Sequence, residues 1–140
     1  MTHASRDTTT GALWEERVRM QAQGTDISKH ALYRFLDSRN IKWNELISYK
    51  LLPDEAYYDE ETNSVVIYEK KYQHKTGSAD EKLQTCAFKI AQYKKLFASF
   101  NLAHISYIYV LNDWFEQPKY TDVLDYIRTV EDCDYIIVKD

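Results

Sequence analysis

The chain has 140 residues, 44% hydrophobic and 14% aromatic, with twelve Tyr but only three Gly and two Pro. That composition suits one compact domain with core enough to stand without staples, and it excludes a disordered or loop-dominated chain. The formal net charge is −4, and no apolar run approaches the roughly 20 residues needed to cross a bilayer.

Charge is unevenly placed. Residues 70–95 hold seven Lys against two acids, a local balance of +5, while residues 54–61 carry five acids and no base. A positive segment directly after an acidic one suits a metal site beside a phosphate-binding surface; the plainer reading is a solvated lysine helix on an acidic protein. Cys86 and Cys133 lie far apart in unlike contexts and fit neither a disulfide framework nor a metal-ligand pattern. The polar stretch Met1 to Thr10 lacks the apolar segment of a secretory signal, so a cytoplasmic setting and no membrane partner are expected.

Residues 1–9 read as a flexible tail, and 10–140 as a single domain. Thr10-Gly11 leads into a first helix with Leu13, Trp14 and Val18 apolar. Thr25-Asp26-Ile27-Ser28 is a second helix start, with Asp26 or Ser28 as N-cap, before Ala31, Leu32, Phe35 and Leu36 at helical spacing. Ile41 to Tyr49 is ambiguous, a short helix or irregular segment around Trp43. Leu51-Leu52-Pro53-Asp54 is expected to open the sheet, Ala56-Tyr57-Tyr58 to form a strand and Asp59 to Asn63 a turn. Ser64 to Tyr72 is a second strand, whose run Val65-Val66-Ile67-Tyr68 implies a central strand covered on both sides. After Gly77, Ser78 and Glu81 have capping-box spacing. Asp80 to Phe100 is the clearest helix, with Leu83, Cys86, Ala87, Ile90, Phe97 and Phe100 on one arc and Lys82, Thr85, Lys89, Gln92 and Lys95 on the other. Ile105 to Leu111 is a strand, Thr121 to Val130 a helix and Tyr135 to Val138 a last strand. The order predicts an α/β sandwich with a central mixed sheet flanked by helices.

Chemistry gathers on the second strand. Alternation puts Val65, Ile67, Glu69 and Lys71 on one face, so a buried row runs straight into an acid and a lysine. Leaving either unpaired in a covered sheet is costly. If the two strands form a hairpin, Asp54 at the start of the first faces Glu69 near the end of the second, and two carboxylates with waters are a usual Mg²⁺ holding set. Lys71 would then orient or deprotonate an attacking water, or neutralise charge in the transition state. An acid-x-Lys triplet alone arises by chance about once per ~150 residues at average usage. Preceded by Pro53-Asp54, set on an apolar strand and followed by a Lys-rich helix, it says much more.

Together Pro53-Asp54 and Glu69-Lys70-Lys71 resemble the signature of the PD-(D/E)XK nucleases, the fold family of many restriction endonucleases and Holliday-junction resolvases. The resemblance covers nearly the whole chain. It implies a restriction-endonuclease-like α-β-β-β-α-β core, provided a first strand precedes or includes Leu51-Leu52. It also implies a DNA endonuclease that hydrolyses phosphodiester bonds with Mg²⁺, for which Mn²⁺ substitutes, leaving a 5′-phosphate. Asp54, Glu69 and the Lys70 carbonyl would hold the metal. Thr10-Gly11-Ala12-Leu13-Trp14-Glu15 resembles the family's first-helix start, which points to Glu15 as a further catalytic acid, with Glu16 the near alternative. Asp59 is the alternative to Asp54. Gln73, Lys75, Lys82, Lys89, Gln92 and Lys95 are the expected DNA contacts, and His74 lies close by. A module that holds DNA or protein without cutting is the rival reading. A homodimer using Trp114-Phe115 as an apolar contact is a third.

Overall fold

Two strands, β2 (Glu55–Asp59) and β3 (Ser64–Lys71), form the hairpin on which the molecule is built, paired antiparallel from Asp59↔Ser64 to Glu55↔Tyr68. The computed structural model describes residues 3–75, 77 and 79–140, with side chains from Thr10 onward. The hairpin turn is fixed by its polar residues: Asp59 Oδ1 accepts the Glu61 N–H, and Asn63 takes the left-handed conformation at φ 48°. The Asn63 side chain accepts from the Tyr58 hydroxyl and donates to the Phe100 and Asn101 carbonyls, tying the turn to the segment that enters β4 (His104–Leu111). β4 lies parallel to β3, and β5 (Cys133–Ile137) parallel to β4. A two-residue strand, β1 (Thr25–Asp26), adds antiparallel to the outer edge of β2. The result is an α/β fold with one five-stranded mixed sheet in the order β1-β2-β3-β4-β5.

β3 is central and covered on both sides, as its apolar run requires. On one face Ala56, Tyr58, Val65, Ile67, Tyr107, Tyr109 and Leu111 pack with residues of α2 (Ala31–Ser38), α4 (Cys86–Leu96) and α5 (Thr121–Thr129). On the other, Trp14 of α1 (His3–Arg17) packs with Val18, Tyr68 and Val110, and its indole N–H donates to the Val138 carbonyl. Among the described residues no helix is long and apolar enough to cross a membrane.

Five expectations need correction. The backbone is already helical from His3, so α1 starts seven residues before Thr10 rather than emerging from a tail over 1–9. Leu51 to Asp54 does not open the sheet: the Tyr33 hydroxyl accepts the Leu51 N–H and donates to the Leu51 carbonyl, which takes that residue out of any ladder. Asp26 and Ser28 do not cap a helix. Ser28 Oγ accepts the Ala56 N–H and Ile27 N–H donates to the Ala56 carbonyl, so the segment serves the edge of β2. Gly24 permits that approach, because at its φ of 113° a Cβ would lie 2.3 Å from the Tyr58 carbonyl oxygen. The long helix over 80–100 is broken into α3 (Ala79–Lys82), a 3₁₀ turn Leu83–Thr85 and α4. Both the Tyr109 hydroxyl and Thr85 Oγ1 donate to the Lys82 carbonyl, diverting it from the helical ladder. Ser78, the expected cap, lies outside the described residues.

Trp114-Phe115 is the fifth. Phe115 is fully buried and so offers no apolar contact at the surface, while the half-buried Trp114 donates its indole N–H to the Tyr120 hydroxyl with the Lys119 ammonium over its ring. Cys86 and Cys133, remote in sequence, meet as buried free thiols, with Cys133 Sγ 3.7 Å from the Cys86 carbonyl oxygen. Trp14 is 1% exposed and anchors the smaller core. Trp14→Ala is therefore expected to cost about 3–5 kcal/mol, read as a fall in the urea midpoint.

Candidate functional site

The hairpin register places the acids. The last β2–β3 pair is Glu55↔Tyr68, so Asp54 comes next, opposite Glu69. Asp54 Oδ2 accepts the Lys70 N–H at 2.8 Å, extending the pairing through a side chain. Pro53, the next position opposite Lys70, has no N–H to give the Lys70 carbonyl, and its own carbonyl accepts from the Lys29 N–H. Asp54 Oδ1 meets Lys29 Nζ at 3.1 Å.

Glu69 and Lys71 share the face of Ile67, as alternation predicts, and line a cavity of about 340 Å³ together with Lys82, Thr85, Lys89, Tyr93, Tyr107 and Tyr109. Burial, then the adjacent Asp54 carboxylate, push the Glu69 carboxyl up to about 8, against the opposing pull of Lys71 and Lys89. A hydrogen bond with Asp54 favours the protonated form further. Burial also pushes up the Tyr93 and Tyr107 hydroxyls, and that of Tyr109 to about 12, so all three keep their protons, the Tyr109 O–H being spent on the Lys82 carbonyl.

Lys70 points the other way. Its Nζ is 2.6 Å from Glu55 Oε2 and donates to the Glu15 carbonyl at 2.9 Å. Glu55 also accepts from the Met20 and Gln21 N–H groups and from the Tyr57 hydroxyl. Burial alone would raise the Glu55 carboxyl, but the hydrogen bonds from Lys70 and Tyr57 outweigh it and hold it below the ordinary range. This buried network fixes the end of α1 against the hairpin and brings Glu15 to the site. Partial burial of the Glu15 carboxyl, then Asp54, raise it, while Lys29, Lys70 and Lys71 act in the opposite direction. Glu15 thus lies within the field of Asp54 and of Lys29, Lys70 and Lys71. Glu16 instead lines a cleft with Arg17 and Asp140. Asp59 sits at the far end of β2, five residues from Asp54 and so roughly 16 Å away, with Oδ1 spent on its turn.

Glu69, Lys71, Lys82 and Lys89 are therefore brought together with Asp54 beside Glu69, while Glu15 lines the neighbouring cavity within the electrostatic reach of Asp54 and Lys71. Other expected DNA contacts do not join them. Gln92 is only 6% exposed. It lies next to Tyr93 on the buried side of α4, although Lys89 and Lys95 of the same helix stay accessible. Lys95 is exposed but lies outside the Glu69 cavity. Gln73 does not share the face of Lys71: its side-chain amide donates to the Lys75 carbonyl, and its backbone N–H and C=O are both held by the buried Asn112 side chain. Gln73, His74 and Lys75 line a second cavity of about 360 Å³ with Glu15, Gly11 and Tyr72. Gly11 allows α1 this close, since a Cβ there would be 3.3 Å from the Tyr72 ring.

Sequence reasoning missed Lys29, the Glu55–Lys70 pair and Asn112. The acid next to Asp54 and the lysine alternating out of phase with Glu69 and Lys71 were the available signals for the pair. The polar residue ending the β4 run was the signal for Asn112. Lys29 had none.

Among the described residues no group of three or more His, Cys, Asp and Glu side chains is clustered so as to hold a metal ion. Asp54 and Glu69 are a pair. Their hard oxygen donors suit Mg²⁺ completed by a backbone carbonyl and waters. No family model, curated protein or solved structure matches the chain.

Glu69 ionises near 4.5 when unfolded and near 8 when folded. The folded protein thus holds a proton that the unfolded chain has lost, and stability from this group falls as pH rises across that interval. Glu69→Gln should match the metal-free wild type near pH 5 and exceed it in Tm at pH 9, measured by thermal denaturation. Lys70→Ala leaves the Glu55 carboxylate buried and unpaired. It should cost about 3–5 kcal/mol in chemical denaturation, a loss that Glu55→Gln in the same chain partly restores.

Proposed function

We propose that this chain is a metal-dependent DNA endonuclease of the PD-(D/E)XK type. The observation that carries the reading is the meeting of Asp54 and Glu69 at the end of the β2–β3 ladder, with Lys71 on the same cavity wall and Lys82 and Lys89 beside it. The element order supports it. With β1 as first strand, α1, β1, β2, β3, α4 and β4 come in the α-β-β-β-α-β order of that family, with α2 inserted between β1 and β2 and the short α3 before α4. The first strand is then Thr25–Asp26 rather than a segment at Leu51-Leu52.

In this reading Asp54, Glu69 and the Lys70 carbonyl hold Mg²⁺, with Mn²⁺ as a substitute. The bound ion supplies charge for the phosphoryl oxygens and acidifies a water. Lys71, projecting from the next pleat into the cavity of Glu69, holds the attacking water and neutralises charge that develops on the phosphate. Lys82 and Lys89 receive the flanking phosphates. Glu15 lies within the field of Lys71 and orients its ammonium. The Lys29 ammonium, 3.1 Å from Asp54 Oδ1, would have to yield that oxygen for Asp54 to hold a cation.

One observation favours the rival, a module that holds DNA without cutting. Asp54 is already engaged by the Lys29 ammonium and the Lys70 N–H, so a protein cation stands on one of the two metal acids. Metal-dependent nicking separates the two readings. Plasmid and branched DNA should be cut with Mg²⁺ or Mn²⁺ and left intact with chelator. Lys71→Ala should lower cleavage at least about 100-fold while DNA binding in a gel-shift assay is retained. Equal cleavage by the purified variant and the wild type would refute the assignment of Lys71, and intact plasmid at every metal concentration would favour the rival.

A further inference from the structure

A groove of about 670 Å³ opens between α2 and the 3₁₀ turn at Trp43–Glu45, and the proposed reaction does not use it. Its walls carry His30, Arg34, Lys42 and Lys50, all exposed, against one acid, Asp37. His30 and Arg34 are four apart, which places them on one side of α2. Among the described residues no carboxylate forms an ion pair with Arg34, Lys42 or Lys50. The Lys50 ammonium lies 4.7 Å from the Tyr33 ring centroid and 5.4 Å from that of Trp43, which holds it in place over two ring faces. On a chain of net charge −4, such a concentration of unpaired cations is local and directional.

The groove also adjoins the candidate site. The Tyr33 hydroxyl holds both backbone groups of Leu51, and Leu51 and Leu52 line the Glu69 cavity. Lys50 therefore stands on one side of a short fixed segment and the Glu69 cavity on the other. At the opposite end, Lys29 contacts Asp54 and is followed at once by His30 of the groove.

We propose that this groove binds the sugar-phosphate backbone of a nucleic-acid strand running away from the Asp54–Glu69 site, with Arg34, Lys42 and Lys50 on successive phosphates. The proposal deepens the nuclease reading, and also holds for its non-cleaving rival. Contacts of this kind read no sequence; they set register and raise affinity in a salt-dependent way.

The test is fluorescence anisotropy of the full chain with a labelled duplex and with its single strand, in chelator so that no cleavage occurs, across a salt series. Replacing Arg34 and Lys42 together by Gln should weaken binding at least about tenfold for either probe, and flatten the slope of log affinity against log salt by about 2, one for each lost phosphate contact. Lys50→Gln should weaken binding in the same direction. The control, Lys94→Gln with Arg128→Gln, removes two cations that are already ion-paired with carboxylates, Asp132 for one and Asp134 for the other. It should lose much less. Circular dichroism checks that each variant is folded. Equal losses in groove and control variants, or an unchanged salt slope, would overturn the proposal. Wild-type protein that binds both probes without cutting them in Mg²⁺ would remove the nuclease reading and leave the groove standing. Wild-type cutting with unimpaired groove variants would do the reverse.

Discussion

Everything at the candidate site depends on the register of one hairpin, and a buried ion pair fixes that register. Glu69, Lys70 and Lys71 are three consecutive charges on a strand covered on both sides. In the observed pairing Lys70 meets Glu55 on the α1 face, while Glu69 and Lys71 face the cavity. A slip of one residue would exchange the faces. Lys70 would enter the larger core without a carboxylate, and Glu55 would lose the ammonium that holds it ionised. Isolated buried ion pairs add little net stability, but breaking one is expensive. The pair therefore acts here as a specificity device that excludes the wrong alignment. The same pair carries α1, because Lys70 also donates to the Glu15 carbonyl and Glu55 accepts from Met20 and Gln21.

The site concentrates charge that its surroundings would otherwise exclude. Asp54 and Glu69 are adjacent at the end of the ladder, and Glu69 faces a cavity walled by tyrosines. Protein groups ease this only in part: Lys29 and the Lys70 N–H serve Asp54, whereas Glu69 keeps its proton up to about pH 8. A folded protein that retains such an unresolved pair bears a local cost, and such costs concentrate where ligands bind. The lysines around the pair (Lys71, Lys82 and Lys89) are drawn from β3, α3 and α4. Three successive elements thus point like charges into one opening.

The site was legible in the sequence where local chemistry decides position. Alternation along Val65 to Lys71 gave the faces of β3, and a polar turn between two strands gave the hairpin. From these the approach of Asp54 to Glu69 follows directly. Reading failed where a tertiary contact overrode a local pattern. Nothing near residue 82 announces that the Tyr109 hydroxyl, 27 residues on, will take its carbonyl where the chain turns from α to 3₁₀. Ser28 resembled a helix cap because its value to a β edge depends on Ala56, 28 residues away. Leu51-Leu52 has the composition of a strand, yet a single tyrosine hydroxyl removes it from the sheet. Lys29 came to Asp54 through a left-handed backbone conformation at φ 51° that its own sequence does not advertise.

The shortness of β1 also governs how molecules meet. Beyond its two residues, the outward amide and carbonyl of Ala56 are consumed by Ser28 and Ile27, and the Pro53 carbonyl by Lys29. That margin of the sheet is already closed by the chain's own backbone and one hydroxyl. It offers no template on which a foreign peptide could be zipped into place. Self-assembly, or capture of an extended ligand, must therefore engage side chains rather than continue the ladder at this border.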